Sequence, residues 1–356
     1  MIFCENGVNL MNKILKRTLI AFFILSPVIF ITITKTFKLY SSSQAKPVKL
    51  DIIFDLDGVL VETNKSAIAS ILKKKVGLFG LMRCAKRLKA SPGAQALLYD
   101  LLTTIKPHNS SNDLYAHATD HNGDRLPAIM CDWLLGTSKN QDILDLIDNS
   151  LENNPELYDT PIFNNKAERK AIRTIIETIF NPELFAETRS FISDGVDFAF
   201  KCKQDGHRLF ILSNWDKESF EHLYNQYPEF FDIFDDIILS GNIGFIKPDP
   251  KAYNFVINKH KLNRKHCVFI DDQEKNVTAA QSPAVGIHAI HCQRPTGLSS
   301  YWNNRLDFGA IENQLLALEQ LIIFKNSPIY SDTAIVVADQ EDQQPTSSTT
   351  GQEGHA

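Results

Sequence analysis

The sequence predicts an α/β fold, a parallel sheet buried on both faces, with an all-helical insertion after the first strand. Three observations carry this. Five short apolar runs each end in polar residues, and stretches of helical spacing separate them. The runs are nearly continuous rather than alternating, which is the pattern of strands covered on both sides. Between the first run and the second, residues 66–192 hold few strand signals.

In chain order the expected strands are "KLDIIFDL" (49–56), "HRLFILSN" (207–214), "FDDIILSG" (234–241), "HCVFIDD" (266–272) and "GIHAIHC" (286–292). Helical spacing marks 65–77, 93–105, 141–153 and 166–180, and the chain returns to the sheet through 193–206. Four regions follow: an N-terminal segment 1–45, a core of 49–65 plus 193–325, a helical cap 66–192 and a polar tail 326–356. The tail holds five acids and no Lys or Arg, a composition expected to stay disordered. The rest of the chain then balances 37 basic against 37 acidic residues, so nothing suggests a general nucleic-acid binder. The six cysteines are scattered with no metal-type spacing and read as isolated thiols.

Residues 19–34, "LIAFFILSPVIFITIT", are uncharged, apolar and preceded by Lys13, Lys16 and Arg17. The run is short for a spanning helix, yet flanking lysines can snorkel to headgroups. An N-terminal apolar helix acting as an uncleaved membrane anchor is expected, with export after signal cleavage as the alternative; its side is open. Residues 65–89 carry eight Lys and Arg and no acid. They read as a solvated basic helix face, as an attractor of a polyanionic substrate or as a contact for an anionic membrane. Nothing sets the oligomeric state.

Parallel sheets gather ligands at the carboxyl ends of their strands. There the first run presents Asp55 and Asp57 with Gly58 behind them, and the second presents Ser213 and Asn214. Lys247 follows the third run in "KPDP", and the fourth ends in Asp271 and Asp272. Alone, "DLDG" also fits a solvated turn. An EF-hand is excluded because its first and twelfth ligand positions would be Ile53 and Asn64.

In order, "DLDGV", "LSN", "KPDP" and "IDDQEKN" resemble the haloacid dehalogenase superfamily, specifically its phosphatase-like branch with a helical cap inserted after the first strand. The resemblance covers residues 50–66 and 193–295. It implies a Rossmann-like core and a Mg²⁺-dependent phosphomonoester hydrolase acting on a small phosphorylated metabolite. Asp55 would be the nucleophile, forming an aspartyl-phosphate. Asp57 would be the general acid and base. Lys247, Ser213 and Asn214 would hold the phosphoryl oxygens. Asp55, the Asp57 backbone carbonyl and Asp272 would hold Mg²⁺, and Asp271 would orient Lys247 or a water at the metal. A sugar phosphomutase on the same core remains open. Less favoured are a haloacid dehalogenase, whose halide needs no proton from an acid at position 57, and an idle membrane-tethered binding module.

Overall fold

A computed structural model of the chain describes residues 48–78, 94–105, 118–120, 123–154, 166–293 and 306–326. The expected membrane segment and nearly all of the polar tail lie outside these, as does the basic stretch beyond Leu78. Among the described residues no helix is long and apolar enough to cross a membrane. Residues Lys49–Gln314 form one compact unit.

All five expected strands form one sheet. They are β1 (Asp51–Phe54), β4 (Arg208–Ser213), β5 (Asp236–Leu239), β6 (Cys267–Asp271) and β7 (His288–His291), in the order β5-β4-β1-β6-β7 with every pairing parallel. Continuous apolar runs are explained by burial on both sides: every residue of β1 and β6 is buried. Ile53 belongs to one face, in a cluster with Phe210, Tyr253, Val256 and Phe269. Its neighbour Phe54 turns to the other, where Phe198 and Phe234 meet it edge-on at 6.1 Å. Strand order reverses around β1, whose neighbours β4 and β6 lie far along the chain. That places the end of β1 in the crevice where α/β sheets bind ligands.

The helices α1 (Lys65–Val76), α2 (Ala94–Thr104), α3 (Ala128–Leu134), α4 (Asn140–Asn153), α5 (Lys166–Phe180) and α6 (Pro182–Glu187) follow β1. Local chemistry sets their limits. Asn64 caps α1 by accepting the Ser66 and Ala67 N–H groups at 3.1 and 3.0 Å, and Gly77 ends it. Lys73, Lys74 and Lys75 crowd its last turn, where cations favour the helix dipole.

The insertion is not all-helical as expected. It is entered and left through an antiparallel ribbon, β2 (Val61–Thr63) with β3 (Arg189–Phe191), in the register Val61↔Phe191 and Thr63↔Arg189. Each strand has only three residues, too few to show a periodicity, and each gains its ladder only from the distant partner. The chain then runs through α7 (Ser193–Gln204) into β4. Beyond it come α8 (Lys217–Gln226), α9 (Pro228–Phe231), α10 (Ser240–Ile243), α11 (Pro250–His260), α12 (Glu274–Gln281) and α13 (Phe308–Lys325).

Candidate active site

Asp55 is the first residue past β1 and is 4% exposed. Its Oδ1 accepts the Leu56 N–H at 2.6 Å. Lys247 Nζ lies 2.7 Å from the same oxygen and 2.8 Å from Asp271 Oδ2. So residues from the ends of β1 and β6 converge on an ammonium from the loop after α10, all three buried.

Lys247 is delivered by its backbone. Asn214, just past β4, accepts the Lys247 N–H at 2.7 Å and donates its amide to the Lys247 carbonyl at 2.9 Å. The Asn214 side chain thus clamps the lysine's loop. The proline that follows belongs to a turn closed by Asp249, which caps α11 through the Lys251 N–H at 2.9 Å, with Pro250 starting the helix. Ser213, the last residue of β4, is 1% exposed beside Asn214.

Asp271 is fixed from three sides. Besides Lys247 it accepts the Gln273 N–H at 2.7 Å, and the Asn276 amide reaches both its oxygens at 3.1 and 3.0 Å. Asp271 thus ties Lys247 to Asn276, a residue the sequence alone did not single out and whose place is set by the first turns of α12. Arg189 is the second such residue. Its Nη1 stands 3.6 Å from Asp57 Oδ1.

The electrostatics are uneven. Burial pushes the Asp55 carboxyl well above the usual carboxylate range; Lys247 pulls it back, and Asp271 and Asp272 push it up again. Burial works against the Lys247 ammonium, but attraction from Asp271 and Asp55 holds it above its ordinary value. Three carboxylates therefore face one buried ammonium, an excess that a divalent cation would offset.

Asp55, Asp271 and Asp272 each place a ligand oxygen within 4.8 Å of the others. An all-oxygen donor set of this charge suits a hard cation such as Mg²⁺. Gly58 fits the same reading. Its φ is +90°, and a Cβ there would come within 2.3 Å of Asp272 Oδ2, so only glycine lets the turn pass this close to the carboxylate.

The family model for haloacid dehalogenase-like hydrolases matches residues 52–282. A sesquiterpene phosphatase from Aspergillus oryzae is 33% identical over 91 residues, which are 26% of this chain and 45% of that protein. The bifunctional epoxide hydrolase 2 of Mus musculus is 29% identical over 119 residues, 33% of this chain and 21% of that one. The chain thus spans less than half the length of either relative. Among solved structures, a HAD-family enzyme from Bacteroides thetaiotaomicron superposes with a TM-score of 0.43 at 16% identity, covering 72% of this chain and 100% of that one. An L-2-haloacid dehalogenase from Xanthobacter autotrophicus gives 0.38 at 12% identity, covering 70% and 79%. With its family match running over more than half its length, the chain belongs to the haloacid dehalogenase-like hydrolases.

Proposed function

We propose that the chain is a Mg²⁺-dependent phosphomonoester hydrolase that works on a small phosphorylated substrate through an aspartyl-phosphate on Asp55. The observation that carries this is a pair of acids two residues apart in opposite surroundings. Asp55 is dry and clamped by Lys247, whereas the Asp57 side chain is 54% exposed. Alcohol leaving from phosphorus needs both a nucleophile and a separate proton donor. Halide needs no proton, so Asp57 favours phosphate esters over haloacids. The sesquiterpene phosphatase relative supports the same class.

In the proposed reaction an Asp55 oxygen attacks phosphorus in line as the bond to the leaving oxygen breaks. The Asp57 carboxyl gives its proton to that oxygen. Its carboxylate then takes a proton from the water that attacks the aspartyl-phosphate, releasing inorganic phosphate and restoring Asp55. Lys247 and Ser213 hold the phosphoryl oxygens, where charge spreads in the transition state. Asp55, Asp272 and the Asp57 backbone carbonyl would hold Mg²⁺, which supplies further positive charge there. Asp271 and Asn214 keep Lys247 in place.

Asp55→Asn should abolish phosphate release from an aryl phosphate while leaving the circular dichroism spectrum and melting temperature close to wild type. Wild type quenched in acid during turnover should carry phosphate on Asp55. Retained turnover in the Asn variant would end the assignment. Release of phosphate, rather than an isomerised sugar phosphate, separates the hydrolase from a mutase.

We further assign the 19–34 run as an uncleaved anchor holding this catalytic unit at a membrane, on the strength of its uncharged apolar sequence between basic flanks. Fractionation of the full chain beside a version starting at Ala45 should put only the former with membranes. Intact full chain in the soluble fraction would reject the anchor.

A further inference from the structure

Resting on the proposed acid role of Asp57, we infer that Arg189, on the strand by which the insertion returns to the core, is the positioning residue that aims the Asp57 carboxyl at the leaving oxygen. A general acid must stand within hydrogen-bond reach of that oxygen. Yet Asp57 lies on the open turn after β1 with about half its side chain in solvent, and Arg189 is its ion-pair partner at 3.6 Å. An exposed carboxylate left to itself samples several rotamers.

Arg189 does not. Its side chain is 9% exposed. Nη1 donates to Thr63 Oγ1 at 2.6 Å, across the ribbon register that pairs the two residues. The guanidinium stacks 4.0 Å from the centre of the Phe185 ring, with Trp215 5.7 Å away on the core. Its Nε is buried without a hydrogen-bond partner.

Burying a guanidinium with so few partners is costly, and burial indeed pulls its pKa down while Asp57 pulls it back up. A site selected only for stability would favour an apolar residue here. A fixed cation beside a free carboxylate selects one rotamer. With Oδ1 turned to the guanidinium, Oδ2 is left for the leaving group. The acid is thereby aimed only when β3 pairs with β2, that is, when both ends of the insertion are seated.

The test uses kcat/KM, which reports the steps through phosphoenzyme formation, on an alkyl phosphate that needs protonation and an aryl phosphate with a good leaving group. Arg189→Met should lose about 10- to 100-fold on the alkyl ester, a part of the 10²–10⁴ that general acid catalysis supplies, and several-fold at most on the aryl ester. Arg189→Lys should recover part of the loss. In an Asp57→Asn background, Arg189→Met should cost nothing further, because two residues acting through one proton transfer are not additive. Thr63→Val, which removes the anchor of the guanidinium, should show the same selectivity at smaller size, and it decides the matter should Arg189→Met fold poorly.

Equal losses on both esters, or full additivity with Asp57→Asn, would overturn the inference. So would an equal rise in KM on both esters with kcat unchanged, which would make Arg189 a substrate ligand. If Asp57→Asn itself shows no preference between the esters, the acid role of Asp57 fails. If it does and neither Arg189→Met nor Thr63→Val follows, only the inference fails.

Discussion

The same five strands carry charge at both ends, and the two ends are built differently. At the amino ends, acid and base are closely matched and partly wet. Arg208 meets Asp51 at 2.7 Å with half its side chain in solvent, and Lys203 meets Asp235 at 2.9 Å. Asp236 takes Lys259 at 2.7 Å and His260 at 2.6 Å. Although burial works against it, these hydrogen bonds hold the Asp236 carboxyl below its usual range. At the carboxyl ends, Asp55, Asp271 and Asp272 crowd around Lys247, and Asp55 is pushed up instead. Ion pairs at the first end satisfy themselves. Those at the second gather three buried or half-buried acids about one buried ammonium.

Removing one cation at each end should separate the two regimes most sharply. Lys247→Met strands Asp55 and Asp271 in a dry pocket. Breaking a buried pair from one side costs about 3–5 kcal/mol, and phosphatase turnover should vanish with it. Lys203→Ala removes one partner of a pair exposed on both sides, so its cost should stay within the ~0.2–1 kcal/mol of surface pairs, with turnover unchanged. Urea unfolding read beside initial rates measures both. A Lys247→Met variant as stable as wild type would mean that the site does not concentrate uncompensated charge.

The carboxyl end was also the more legible in the sequence. Strand-end acids and Ser213 stand at the ends of apolar runs whose burial is set locally, and Lys247 follows one of them by a short connection, so the order of the runs predicts the order of the site. What was illegible depends on pairing across the chain. Arg189 reaches Asp57 only because β3 finds β2, and "RSF" carries no period that would announce a strand. A lone basic residue just ahead of the helix returning to the core was the available signal. Asn276 stood inside a motif already recognised, but its contact with Asp271 requires α12 to begin within two residues of β6, close enough to fold its amide back. Asn214 was legible as a strand-end residue, but its clamp on the Lys247 backbone was not, because only the fold brings that loop beside it.

The smallest expected effect belongs to His207, at the amino end beside β4. It is 6% exposed, and its Nδ1 lies 3.2 Å from the Leu50 amide nitrogen. A backbone N–H can only donate, so Nδ1 must be the bare nitrogen, and protonating it breaks the bond. Burial pushes the ring's pKa down; Lys49 pushes the same way and Asp205 opposes. The folded value therefore lies below the unfolded one near 6.5. Below that pH the unfolded chain takes up a proton that the folded chain resists, so this contribution is present above about pH 6.5 and fades as pH falls through the folded pKa. Asp55, raised rather than lowered, has the opposite sign: its contribution is present at low pH and lost as pH rises. The measurement is therefore a difference between wild type and His207→Gln, which keeps an acceptor for Leu50 but does not titrate. Between pH 7.5 and 5.5, wild type should lose more stability in urea than the Gln variant does. Parallel pH profiles for the two would remove the amino end's claim to any pH sensitivity from His207.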